Sequence, residues 1–280
     1  DTRGLPMKLD MNRAWTEALE LIQANLGVVA TVAGVFFFLP YLVFSLPMPD
    51  TATTLNFEPD AAPEVVMEQL TAFYADVWWI MLLLFVTQTV GTLALLALLR
   101  ANNRPTVGEA IGVGAIGFFT SIAASILFYV GFGIVGGVLL GIAIATGITE
   151  LAVIVGIVLF VAMIYAAVKL SLLSPVIAID KIYNPFTALL RSWRLTKGNS
   201  VRLFFFYLLL IIAILVVSTV ISLIVMLVFG LMGEEVMRVG SGLVNSAINA
   251  VFIVVMLGVL AAVHRQLAGP DVEEMSETFE

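Results

Sequence analysis

The chain has 280 residues, 61 % of them hydrophobic, with a mean hydropathy of +1.10, a formal net charge of −7 and no cysteine. A soluble domain of this size has one core and roughly 45–50 % apolar residues, so this much apolar side chain requires lipid as its solvent. The missing cysteine excludes disulfides, thiolate nucleophiles and Cys-ligated metals, and no basic stripe with interleaved aromatics offers a nucleic-acid surface.

A helix that crosses about 30 Å of hydrocarbon at 1.5 Å per residue needs about 20 apolar residues. Stretches 27–46, 77–99, 116–145, 151–171, 203–229 and 239–263 meet that length. No cleavable leader is expected, because the first stretch is too long and follows a polar helix. Pro40 and Pro175 should kink or end their helices. Between Ala110 and Val168 only Glu150 is charged, so two crossings must be divided somewhere inside that run. Thr146-Gly147-Ile148-Thr149-Glu150 is the best turn: a flexible glycine, then Thr149 as N-cap with an acid in the first turn. That division puts Lys169 at the end of the fourth span, where its stem can snorkel.

A short amphipathic segment precedes each pair of spans. The first opens near Asp10, with Met11, Trp15, Ala18 and Ile22 on one side and Asn12, Arg13, Glu17 and Glu20 opposite. The second opens at Pro105-Thr106-Val107-Gly108-Glu109, a capping-box spacing. In the third, Asn184 is the cap, Pro185 the first helical residue and Gly198 the stop. Its apolar side is Phe186, Leu189, Leu190 and Trp193; its polar side is Thr187, Arg191, Arg194 and Lys197. Helices of this kind lie in the headgroup plane. The expected fold is therefore all-α: one membrane domain over residues 1–280, six transmembrane helices and three interfacial helices. A threefold repeat of interfacial helix plus hairpin would cover units 11–100, 105–174 and 184–267. An acidic outer loop (47–76) would contain a short helix at 63–74 whose Val66, Met67, Leu70 and Phe73 or Tyr74 face the bilayer. Trp78 and Trp79 would mark the outer interface, and an acidic tail (268–280) would close the chain.

Lys and Arg gather at alternate gaps between spans: Arg3, Lys8 and Arg13; Arg100 and Arg104; Lys169, Lys181, Arg191, Arg194, Lys197 and Arg202; then Arg265. Only Arg238 falls opposite. The positive-inside rule makes both termini cytoplasmic.

The catalytic inventory is thin. The spans carry no carboxylate at membrane depth, where proton relays and ion paths normally place one, and no nucleophile triad or phosphate loop is present. No metal or cofactor is expected. His264, the single histidine, has no acidic or hydroxyl partner suggested by the sequence and reads as a solvated interfacial side chain. Gly133, Gly137, Gly141 and Ala145 form a smooth stripe suited to close helix packing, within the chain or between protomers. Gln88 with Thr87 and Thr89, Ser218 with Thr219 and Ser222, and Ser241, Asn245, Ser246 and Asn249 read as interhelical hydrogen-bond glue, with a polar path as the sharper alternative. Lys181, Arg191, Arg194, Lys197 and Arg202, anchored by Trp193, are the first candidates for anionic headgroups, at about 1 kcal/mol per cation. The plain alternative is that these charges only orient the chain.

The elbow from Asn184-Pro185-Phe186-Thr187-Ala188-Leu189-Leu190-Arg191-Ser192-Trp193 to Lys197-Gly198-Asn199, leading into an apolar helix, resembles the membrane domain of bacterial glycerophosphoryl diester phosphodiesterases and related stand-alone six-helix membrane proteins. The resemblance implies a bacterial inner-membrane protein, over nearly the whole chain. It implies no phosphodiesterase activity, because the soluble catalytic barrel is not in this sequence. The expected function is non-enzymatic: binding or organising anionic lipid, alone, as an oligomer or with other membrane proteins. The alternative is a transporter or channel for a lipid-like or neutral solute, using the groups around Gln88 and Asn245.

Overall fold

The computed structural model describes residues 8–45, 62–100 and 106–269, which fold as helices joined by short turns. Arg3, Asp50, Glu58, Asp60, Arg104, Pro105 and the acidic tail lie outside them. Six helical segments are long and apolar enough to span a membrane: Leu26–Ser45, Pro63–Leu98, Val107–Ala145, Thr149–Ala178, Ser200–Met232 and Glu234–Ala268.

Helix α1 (Met11–Ala24) starts where the Asp10 carboxylate accepts the Arg13 N–H at 3.1 Å. The face it buries differs from the expected one. Ala14 and Ala18 are sequestered, whereas Trp15 is 39 % exposed; small residues let the backbone of α1 approach the last helix closely. The first span is broken into α2 (Leu26–Ala33), a π-helical turn (Gly34–Phe38) and α3 (Leu39–Ser45). Pro40 explains the wide turn, because its ring occupies the space that a regular helix gives the carbonyl four residues earlier. The turn swings Phe36 and Phe37 onto Gly91 of α4 (Pro63–Leu98).

Helix α4 runs unbroken through the outer segment into the span, so the expected short helix at 63–74 is not separate. After Pro63 at its first turn, no proline or glycine interrupts it before the span. Phe73 is buried, while Met67, Tyr74, Trp78 and Trp79 are exposed. Helix α5 (Val107–Ala145) corrects the second interfacial segment in the same way. The capping box forms, with Thr106 Oγ1 accepting the Glu109 N–H at 3.3 Å and Glu109 Oε2 accepting the Thr106 N–H at 2.8 Å. Nothing then stops the helix, so this segment is the first turns of the span, and of the three expected amphipathic segments only the first and third are separate helices. The turn after α5 is where expected, with Gly147 at φ 72°. Ile148, however, holds the cap position of α6 (Thr149–Lys169), and Thr146 Oγ1 accepts its N–H at 3.3 Å.

After α6 the chain forms a short helix, α7 (Leu173–Ala178), whose Pro175, Val176, Ile177 and Ala178 are buried. The proline sits in its first turn, where its missing N–H costs nothing. Helices α8 (Pro185–Leu195), α9 (Ser200–Phe229) and α10 (Glu234–Ala268) follow within the described residues.

The core sits toward the end where the cations gather. One cluster joins α2, the C-terminal half of α4, α7 and α10; a second joins α1, α9 and α10 around Leu172, Leu203 and Val263. The most extensive helix pairing, α4 with α5, is seated on Gly114 and Gly117: a Cβ at Gly114 would lie 2.5 Å from the Val90 carbonyl oxygen, and one at Gly117 would meet Ile177 and Leu93 at 2.9 Å. By contrast, an added Cβ at Gly133, Gly137 or Gly141 meets nothing within 4 Å. That stripe faces outward, so packing within the chain is not its role; Gly136, one position before Gly137, is the one that meets Leu159 of α6. Gly137→Ala is accordingly expected to leave monomer stability within about 0.5 kcal/mol of wild type, read as the thermal midpoint in micelles.

Candidate functional site: the basic elbow

The elbow, residues 170–199, is a built joint. Ser192 Oγ and Thr196 Oγ1 of α8 and its cap donate to the Lys169 carbonyl at 2.9 and 3.2 Å, satisfying an end of α6 that would otherwise lack a partner. Thr120 Oγ1 of α5 donates to the Tyr183 carbonyl at 2.9 Å, and the Leu9 N–H donates to Asn199 Oδ1 at 2.9 Å. The Asn184 side chain accepts the Thr187 N–H at 3.1 Å, as its spacing predicts. The helix ends at Leu195, three residues before Gly198, whose φ of 83° lets the chain reverse into α9.

Buried Ala188 and Ser192 hold α8 to the protein, while Phe186, Leu190 and Trp193 form an exposed row on its opposite side. Most of the apolar side read from the sequence is therefore turned outward, with Leu189 half-buried. Arg194 stands beside that row. Lys181, Arg194, Lys197 and Arg202 are all exposed, with no carboxylate paired to them among the described residues. Lys181 sits in the left-handed region at φ 54°, uncommon for a side chain other than glycine.

Arg191 differs from these four: its Nε lies 3.3 Å from Asp180 Oδ2. Asp180 is also the partner of His264, whose Nε2 lies 3.1 Å from Asp180 Oδ1, off the line of a good hydrogen bond. His264 is only 4 % exposed, so the expectation of a solvated histidine is corrected. Sequence reading missed Asp180 because its partners are eleven and 84 positions away; its one signal was an acid set among cations at the elbow. Burial pushes the Asp180 carboxyl up, but His264 and then Arg191 outweigh it and hold the group below the usual carboxylate range.

Lys169 is corrected as well. It is buried, with its ammonium 5.6 Å from the Tyr165 ring centre and 5.5 Å from that of Trp193. The Trp193 ring meets Tyr165 edge-on at 5.8 Å. The tryptophan thus holds a lysine of its own chain by cation–π attraction while half of it remains available outside.

The matched region of the sequence contains this joint. Residues 142–267 match the family model of the membrane domain of glycerophosphoryl diester phosphodiesterase. This membrane-domain match runs from the end of α5 through α10 and takes in the elbow, Asp180 and His264, but it covers less of the chain than the resemblance implied. It concerns the membrane domain alone. No curated protein and no solved structure matches the chain.

The remaining candidates divide. Thr87, Thr219, Ser241 and Ser246 donate to carbonyls of their own helices, at 2.8, 2.8, 3.1 and 2.6 Å, so these four bonds do not cross between helices. Ser218, Asn245 and Asn249 meet Tyr41 around a cavity of about 280 Å³ between the first span, α9 and α10. Gln88, half-buried on α4, lines neither this cavity nor the cleft beside it.

Proposed function

We propose that this integral membrane protein is a non-enzymatic component that holds anionic lipid headgroups on its basic elbow, at the cytoplasmic leaflet of a bacterial inner membrane. The observation that carries the reading is the set of exposed cations Lys181, Arg194, Lys197 and Arg202, with no carboxylate paired to them among the described residues, on and next to an elbow whose helix α8 turns Phe186, Leu190 and Trp193 outward. A headgroup binder needs charges that its own carboxylates have not neutralised, next to an apolar row that enters the acyl boundary. Arg191 is spent on Asp180 and serves the joint. The distribution of cations supports the cytoplasmic orientation, and the outward glycine stripe on α5 leaves a surface for a second copy or another membrane protein.

The test is the quadruple variant Lys181→Gln, Arg194→Gln, Lys197→Gln, Arg202→Gln. At about 1 kcal/mol per cation, anionic phospholipid retained through purification is expected to fall at least tenfold relative to zwitterionic lipid. Arg191→Gln alone should lower thermal stability more than lipid retention. Unchanged lipid retention in the quadruple variant rejects the reading.

A further inference from the structure

Beside the small polar cavity, α9 and α10 part to leave an open cleft of about 640 Å³. Its lining is apolar apart from Ser218, and Trp15 reaches into its basic end. The two spaces adjoin: Ile214, Ser218, Ile248 and Phe252 border both. Depth follows from the helical rise. Asn249 lies fifteen residues before His264 and Ser218 sixteen after Arg202, so both stand roughly 22–24 Å from the basic end along their helices. Asn245 stands one turn further on, near the opposite margin of a hydrocarbon layer about 30 Å thick. At that depth an amide donor without an acceptor is costly, and Asn249 Nδ2 is shielded and makes no hydrogen bond. From the level of Leu243 to that of Val255 the cleft runs twelve residues, roughly 18 Å.

We propose that these two spaces form one binding site for a glycerolipid of the leaflet opposite the basic face. An acyl chain occupies the cleft, and an ester carbonyl accepts from the Asn249 amide beside Ser218, Tyr41 and Asn245. The chemistry does not suit an anion, because no cation among the described residues lines either space. It fits an uncharged acceptor attached to a chain: the polar groups gather at one end and the apolar lining continues toward Trp15. This site is independent of the elbow, since it uses other residues at another depth.

The full chain is reconstituted in phosphatidylcholine vesicles with a trace of phosphatidylcholine bearing a diazirine, either near the ester or at the chain end. Cross-links are mapped by peptide mass spectrometry. The ester-proximal probe is expected to label the level of Ser218 and Asn245, and the chain-end probe the level of Leu210, Val255 and Trp15. Both should exceed labelling of the equally exposed faces of α5 and α6 at least fivefold. Ala247→Phe, which fills the cleft, should remove that excess. Asn249→Leu, which removes the donor at similar size, should lower ester-proximal labelling at least threefold. Even labelling of every exposed face, the two probes in reversed order, or an excess that survives Ala247→Phe in a protein that still elutes as a folded species would each overturn the proposal.

Discussion

Gly114→Leu is expected to lower stability by about 3 kcal/mol and to loosen the elbow, although residue 114 lies on another helix. The Gly114 position faces the Val90 carbonyl oxygen, where even a methyl group would stand at 2.5 Å. A side-chain neighbour can rotate away; a backbone oxygen moves only if α4 moves. Helix α4 carries the largest stretch of core, Leu93 to Leu99, and packs on α7, while Gly117 three residues along receives Ile177 from that helix. A displaced α4 therefore shifts the base of the elbow. Thermal unfolding in micelles measures the loss. Cysteines placed at Thr120 and Tyr183, positions that lie within reach of a hydrogen bond in the native protein, should cross-link less efficiently when Gly114→Leu is added. Wild-type stability in Gly114→Leu would show that α4 and α5 do not meet at this point.

Asp180→Ala is expected to cost about 3 kcal/mol, because it strands a buried histidine and an arginine that share one carboxylate. Its dependence on pH has a definite sign. The folded-state pKa of Asp180 is depressed, so its stabilisation is complete above the unfolded value of about 3.9 and is lost as the pH falls through the lower folded value. The gap between wild type and Asp180→Ala should thus still be present at pH 5 and close only below about pH 4. A double variant with His264→Gln should cost less than the sum of the single changes, since both remove the same contact. Strict additivity would show that the 3.1 Å approach carries no energy.

The sequence alone determined what depends on composition and local chemistry. Apolar length set the crossings, because every spanning segment must satisfy its own backbone hydrogen bonds in lipid. Caps at Asp10, Thr106 and Asn184 set helix starts, because each uses a side chain within three residues of its target. Stops were less legible: with no proline or cap after Thr106, the second amphipathic segment continues into α5.

Tertiary structure alone decided which small residues pack and which charges pair. Gly133, Gly137 and Gly141 have better spacing than Gly114 and Gly117, yet the second pair carries the contact, because Val90, Leu93 and Ile177 of α4 and α7 stand against it while nothing lies within 4 Å of a Cβ at the other three. Asp180, Arg191 and His264 meet because α7 folds back into the core and brings Asp180, two residues beyond it, to the end of α10. Pairwise electrostatics depends on distance in space, which the positions of those three residues along the chain do not encode.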